Sequence, residues 1–265
     1  MTYKKEEVIL KVENVSLDYD KPILRDVNFQ VHNITRPNIH QGQVISLVGR
    51  SGIGKTQLFK ILSGLLQPKT GKVLIEADLH PVKAGEVGIV PQNYILFNHR
   101  TIYNNLKIGI NGSLTTYSKK EKDDIIHSYA ERFGLGEHLK KYPMQLSGGQ
   151  RQRVSIIQQI LTGNKFILLD EPFSGLDPVV KDKVLELLVS VSVLNELNTM
   201  VIVSHDIENS LAISDTAFIL ANQADQPGAT ITETIDLIEL GFAWDPDIKN
   251  KNAFRELVSQ MKHKI

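Results

Sequence analysis

The sequence predicts an α/β protein with a mixed, mainly parallel core sheet, antiparallel strands near its N-terminus and an inserted helical subdomain. Three observations lead there. Short runs with no polar face, such as "VISLVG" and "FILLD", alternate with helical stretches, the pattern of parallel strands covered on both faces. The stretches "VILKVENVSLDYD" and "ILRDVNFQV" instead alternate apolar and polar residues, as half-exposed antiparallel strands do. From about Asn93 to Asn164 apolar residues recur at helical spacing, with no convincing strand between.

In chain order, the alternating strands occupy Val8 to Val31. The segment "VHNITRPNIHQGQ" that follows is longer and more polar than a minimal hairpin connection and receives no assignment. A buried strand at Val44–Val48 runs through "GRSGIGKT" into the helix "KTQLFKILSGLL", with Gly64 near its end. The strand Gly88–Val90 leads to "VPQN", with Gln92 just beyond it. Helices are expected in "KDDIIHSYAERFGL" and "QRVSIIQQIL", the second opening within "LSGGQRQR". The strand Phe166–Leu169 ends in Asp170 and Glu171, and the helix "VVKDKVLELLVSVSVLNEL" follows Pro178. Met200–Val203 delivers "SH", and Thr216–Leu220 is the last strand expected. These bounds divide the chain into a core at 1–92 and 165–224, a helical subdomain at 93–164 and a helical tail at 225–265. The tail holds a turn at "QPG" and a helix at "NAFRELVSQMKHK".

Composition limits the function. With 265 residues, 42% of them apolar and 23% charged, the chain has the make-up of a globular protein with a sizeable core. Lys+Arg and Asp+Glu number 30 each, so no bulk field favours nucleic acid or an anionic membrane. The absence of cysteine excludes disulfides and thiolate metal sites. The start "MTYKKEEVILKVENV" lacks the apolar core of a signal peptide, and the apolar runs are too short to span a bilayer. A soluble chain is expected, with any membrane role exercised through a partner.

Gly49, Gly54, Lys55 and Thr56 match G-x-x-x-x-G-K-[ST] between a buried strand and a helix. The glycines let backbone wrap a triphosphate, Lys55 neutralises β/γ charge, and the Thr56 hydroxyl ligates Mg²⁺. Asp170 is placed to hold the Mg²⁺ shell and Glu171 to polarise an attacking water. His205, beyond another strand end, is positioned to bond the γ-phosphate or align that water, although a lone histidine is more often structural. Tyr19 reads equally as an adenine-stacking aromatic in an early strand or as a plain surface tyrosine. "LSGGQRQR" is a second half-cradle: a serine and two glycines at the positive end of a helix.

Taken in order and spacing, "GRSGIGKT", "VPQ", "LSGGQRQR", "ILLDEP", "SGLD" and "SH" resemble the nucleotide-binding subunit of an ATP-binding cassette (ABC) transporter, a P-loop NTPase, over about residues 8–221. The resemblance implies that Gly49, Arg50, Ser51, Gly52, Ile53, Gly54, Lys55, Thr56 and Gln57 hold ATP. It implies adenine stacking by Tyr19, a nucleotide-sensing and Mg²⁺-reaching Gln92, and Mg²⁺ ligation by Thr56 and Asp170. Glu171 becomes the catalytic carboxylate, Asp177 the end of the D-loop Ser174–Asp177, and His205 the switch histidine. It also explains the second half-cradle. Two copies, or a paired cassette, pack head to tail, so that Ser147, Gly148, Gly149 and Gln150 close over the partner's ATP. Two departures stand out. Ile53 replaces a residue that is often small, and Gln57 stands where Ser or Thr is frequent, which alters the α-phosphate contact.

The interval between the two cradles shows no sustained heptads, unlike the long coiled coil of DNA-repair relatives. Ribosome-associated relatives carry two cassettes, and a mere nucleotide-sensing module would not need both Glu171 and His205. The expectation is an importer-type ATPase, peripheral on the inner face of the cell membrane, with permease subunits, a solute-binding protein and no nucleic acid. "LFNHRTIYNNL" resembles importers of the nitrate/sulfonate/taurine type. A lipid or export system, or a non-transport ATPase of the same family, is the alternative.

Overall fold

The computed structural model describes residues 3–35, 42–113, 115–192, 199–224 and 226–264. Among the described residues ten strands form one sheet. They are β1 (Lys4–Asp18), β2 (Pro22–Thr35), β3 (Gln43–Val48), β4 (Thr70–Ile75), β5 (His80–Pro81), β6 (Val87–Val90), β7 (Phe166–Asp170), β8 (Thr199–Ser204), β9 (Thr216–Gln223) and β10 (Gln226–Asp236). The helices are α1 (Lys55–Leu62), α2 (Ile102–Asn111), α3 (Lys119–Arg132), α4 (Gly148–Ile160), α5 (Pro178–Ser192), α6 (Ile207–Ile213) and α7 (Asn252–Lys264).

The strand order is β5-β4-β1-β2-β10-β9-β3-β8-β7-β6. As expected, β1 and β2 pair antiparallel, and β3, β6, β7, β8 and β9 pair parallel. Every residue of β3 and β8 is buried, which is why their sequences carry no alternation. The residues of β3 divide among three cores. Ile45 and Leu47 pack with the N-terminal strands and α1, Val44 with α2–α5, and Val48 with α6 and α7. Val48 is in register with Ser204, and Asp170 with Val203, so three parallel strands end together along one edge.

Residues 93–164 carry α2, α3 and α4 and no strand among the described residues. Ser118 and Glu121 form a reciprocal capping box at the start of α3. Helices α2 and α4 touch at backbone distance: a Cβ on Gly109 would lie 2.2 Å from the Gln158 carbonyl oxygen. Gln158 Nε2 also donates to the Asn105 carbonyl at 3.0 Å. The fully buried Asn105 side chain folds the preceding loop, accepting from Phe97 N and donating to the Phe97, Arg100 and Thr101 carbonyls.

The structure corrects three expectations. Gln226–Asp236 is a strand paired antiparallel with β9, so the sheet extends past 224 and the segment from 225 is not wholly a helical tail. The β-branched alternation of Thr230, Ile231, Thr232, Thr234 and Ile235 carries that strand. "QPG" opens β10 as a register irregularity, with Gly228 at φ 92°, rather than forming the turn. Tyr19 lies in the bend after β1, not within a strand. The long helix after Pro178 is described only to Ser192; its expected end at 193–197 lies outside the described residues, as do 36–41 of the unassigned segment. The strand β4, not anticipated, extends the antiparallel side.

Candidate active site

The glycine loop leaves β3 where its backbone must pass β9. A Cβ on Gly49 would lie 2.5 Å from the Leu220 carbonyl oxygen, so only glycine fits there. Gly54, at φ 110°, turns the chain into α1 and offers no side-chain cap, leaving the helix N-terminus to an anion. Ile53 is buried in the core beneath the loop, which accounts for a bulky residue at this position. Arg50, Ser51 and Thr56 are exposed. Tyr19, 60% exposed, donates its hydroxyl hydrogen to Gln57 Oε1 at 3.3 Å, so the aromatic and the atypical Gln57 meet beside the loop.

Lys55 is buried, with its ammonium donating to the Gly49 carbonyl at 2.9 Å and the Arg50 carbonyl at 3.1 Å. The same nitrogen lies 3.4 Å from Glu171 Oε1. The other carboxylate oxygen of Glu171, Oε2, accepts from Ser204 Oγ at 3.0 Å, His205 N at 3.2 Å and His205 Nδ1 at 2.8 Å. Because Nδ1 carries the hydrogen in that bond, Nε2 of the neutral ring is left as an acceptor. Glu171 itself holds φ 48°, a left-handed conformation costly for a side chain of this type, fixed by its N–H bond to the Val203 carbonyl at 2.8 Å. Burial pushes the Asp170 carboxyl above its ordinary value, Glu171 adds to this, and Lys55 opposes it.

Gln92 is exposed and donates to Ser174 Oγ at 3.1 Å, joining the end of β6 to the segment after Glu171. Asp177 starts α5: its Oδ1 accepts from Val180 N at 3.1 Å and its carbonyl from Lys181 N at 2.9 Å. Lys55, Asp170, Glu171 and His205 thus share one sheet edge, with Gln92 bonded to the segment just beyond it.

The second cradle is built separately. Ser147 Oγ accepts from Gln150 N at 3.3 Å, and Gln150 Oε1 accepts from Ser147 N at 2.9 Å, a capping box at the start of α4. Added Cβ atoms on Gly148 and Gly149 would meet nothing within 4 Å, and neither glycine has a positive φ. Neither packing nor backbone within one chain therefore requires them. No hydrogen bond or ion pair among the described residues joins 147–150 to 49–56. Sequence reasoning missed three supports. Gln150 Nε2 contacts His138 Nε2 at 2.9 Å, Gln152 Nε2 donates to the Pro172 carbonyl at 3.2 Å, and Ser204 holds Glu171. Of these only Ser204 had a signal, its place beside His205.

A parallel strand passing through a glycine loop into a lysine-headed helix, beside a strand ending in Asp-Glu, defines a P-loop nucleotide-binding fold. The ABC transporter family model matches residues 32–174, more than half of the chain, and the chain belongs to the ABC transporter family. It is 36% identical over 193 residues to the bicarbonate transport ATP-binding protein CmpC of Synechococcus elongatus, a match covering 73% of this chain and 28% of that protein. It is 34% identical over 185 residues to the thiamine import ATP-binding protein ThiQ of Photobacterium profundum, covering 69% and 76%. Among solved structures, cbiO1 from Clostridium perfringens, part of the ABC transporter complex cbiONQ, shares the fold with a TM-score of 0.74 at 24% identity, covering 97% of this chain and all of that one. The chain thus spans under a third of the length of the bicarbonate relative.

Among the described residues no helix is long and apolar enough to cross a membrane, and no cluster of three or more His, Cys, Asp or Glu side chains could hold a metal.

Proposed function

We propose that the chain is an ATP-hydrolysing subunit that dimerises on ATP and powers solute import through a separate membrane permease. The observation that carries this reading is the Lys55–Glu171–His205 constellation: a phosphate-loop lysine and a strand-end carboxylate at 3.4 Å, with a histidine bonded to the same carboxylate. In the reaction a water oxygen attacks the γ-phosphorus, the bond from that phosphorus to the β,γ-bridging oxygen breaks, and ADP leaves. Glu171 accepts the water proton, and His205 orients the water through Nε2. Lys55 and the N–H groups at the start of α1 hold the phosphates, and Tyr19 stacks on the base.

Mg²⁺ fits the donor set. Thr56, Asp170 and Gln92 offer oxygen ligands, and Mg²⁺ is ordinarily held by one or two carboxylates together with substrate phosphates and water rather than by a protein cage. When bound it neutralises charge on the β- and γ-phosphate oxygens. The half-buried Asp170, whose charged form is disfavoured in the free chain, gains a counter-charge there.

The open glycines Gly148 and Gly149 support a second chain as the partner of α4. We further infer that the helical segment 93–164 is the docking subdomain. A cleft of about 420 Å³ lies between residues 93–96 and Asn98 on one side and Pro143, Met144 and Arg151 on the other, with Ile95 and Met144 among the most exposed apolar side chains of the described chain. Such a surface suits a helix of a permease, which would hold the chain at the inner face of the membrane beside a solute-binding protein. Leu96 and Asn98, from the stretch that resembles nitrate/sulfonate/taurine importers, line this cleft.

ATP turnover by the purified chain tests the reading. Glu171→Gln should keep ATP binding while lowering turnover by about two or more orders of magnitude. Near-normal hydrolysis by that variant would remove Glu171 from its role.

A further inference from the structure

A second polar site lies at the far end of β3 from the glycine loop. Gln43, the first residue of β3, is 4% exposed, and neither its amide oxygen nor its amide nitrogen has a hydrogen-bond partner. It shares a face of β3 with Ile45 and Leu47, where the core is otherwise apolar. A buried amide without partners is costly, and native proteins seldom keep one unless something occupies the space beside it.

That space exists. A cavity of about 170 Å³ is lined by Gln43 with Lys5, Thr216, Thr234, Asp236 and Glu239. Its apolar part includes Phe218, which packs on Phe29 at 4.5 Å between ring centres. The opening follows from the topology. β2 and β10 share the single register pair Leu24–Ala229, so the later residues of β2 part from those of β10.

The polar groups specify a ligand chemistry. Lys5 donates to Asp236 at 2.6 Å and lies 3.8 Å from Glu239, and the Tyr3 hydroxyl bonds both carboxylates. One cation against two carboxylates leaves a negative surplus at the mouth. The Gln43 amide, deeper in, offers an acceptor and two donors, a match for a carboxyl or carboxamide group. We propose that this cavity binds a small organic ammonium compound with a carboxyl or carboxamide end, the chemical class of the free amino acids. The ammonium group lies against Glu239 and Asp236, and the other end pairs with Gln43. The volume equals that of about five or six water molecules, which suits the smaller members of the class. The proposal does not depend on ATP hydrolysis.

The test is thermal unfolding and calorimetric titration of the nucleotide-free chain with millimolar amino acids, their amides, short diamines and short carboxylates lacking an amine. At least one amine-and-carboxyl compound should raise the unfolding midpoint by several degrees and bind one to one, while the amine-free carboxylates do not. Gln43→Met, which keeps the side-chain length without the amide, and Glu239→Gln at the exposed mouth should each weaken binding about tenfold or more. Lys55→Ala should leave it unchanged. If Gln43→Met fails to fold, Glu239→Gln decides, because its side chain lies in solvent. No shift with any compound of the class would mean that water alone fills the cavity and would overturn the proposal. So would binding that survives Glu239→Gln, or Gln43→Met in folded form.

Discussion

Lys55 Nζ and Glu171 Oε1 lie 3.4 Å apart, so the loop lysine and the strand-end carboxylate are paired before any phosphate arrives. Three further donors fill Oε2 of the same carboxylate. A carboxylate occupied in this way has little capacity left for a water proton. In the proposed reaction a bound phosphate would compete for Lys55 and free Oε1, coupling activation of Glu171 to arrival of the substrate.

The pairing is testable without nucleotide. Lys55→Met removes the cation that faces both Glu171 and Asp170 and leaves their charges uncompensated. Loss of one partner from a buried pair costs about 3–5 kcal/mol, and this site, slightly more open, should fall at or below that range. Adding Glu171→Gln to Lys55→Met should recover part of the loss. Denaturant unfolding of the two single variants and the double variant measures the coupling, and strictly additive effects would mean that the pair is not formed.

A second ion pair sets an acid limit on stability. Lys181 Nζ donates to Asp206 Oδ2 at 2.7 Å, tying α5 to α6 beside His205. Burial pushes the Asp206 carboxyl up, but the bonds from Lys181 and Asn209 outweigh it and leave the group below its ordinary value of 3.8. A depressed carboxylate contributes stability that is fully present above its unfolded value. That contribution is lost as pH falls from there through the lower folded value. The unfolding midpoint should therefore drop below about pH 4, and Asp206→Asn should lower the midpoint at pH 7 while flattening its acid dependence. An unchanged acid slope in that variant would remove Asp206 from this role.

The proposed docking cleft predicts a separation of functions. Ile95 and Met144 line the cleft and, like Phe97 beside them in the chain, are exposed, so Ile95→Glu, Phe97→Glu or Met144→Glu should fold and bind ATP normally. Each should abolish co-purification with the permease. Tyr94 lines the same cleft but is partly buried, its hydroxyl pushed up to about 12 by desolvation, so a charge there would also disturb folding. Permease recovered at wild-type levels with the three exposed variants would move the interface elsewhere.

Most of the nucleotide edge was legible because its signals are local. A strand buried on both faces, such as β3 or β7, needs only its own few residues to declare itself, and the glycine loop follows directly. What escaped was tertiary. Nothing around Asn105 indicates that it folds the loop after Gln92, because its partners are backbone groups of Phe97, Arg100 and Thr101, which carry no side-chain signal. His138 and Gln150 are twelve residues apart and meet only through the turn between α3 and α4. β10 was overlooked although "ATITETID" alternates plainly, because it lies beyond the last recognisable motif. Ile53, an odd choice in a loop when read along the chain, is an anchor once the core beneath it is seen.

The central claim is that each ATP site is assembled from two chains, with the open glycines of α4 completing the loop of a partner. Lys55→Ala disables the loop, and Ser147→Arg puts a bulky cation where the second cradle must approach the γ-phosphate. Neither homodimer then has a complete site, whereas a mixture of the two variants rebuilds one, from the intact loop of the second and the intact cradle of the first. In a Glu171→Gln background, which slows release, nucleotide occlusion and ATP-dependent dimerisation should be near absent for each variant alone. On mixing they should recover to about a quarter of the wild-type sites, given random pairing and one of two sites per mixed dimer. A mixture that occludes no more nucleotide than its parents would contradict the account.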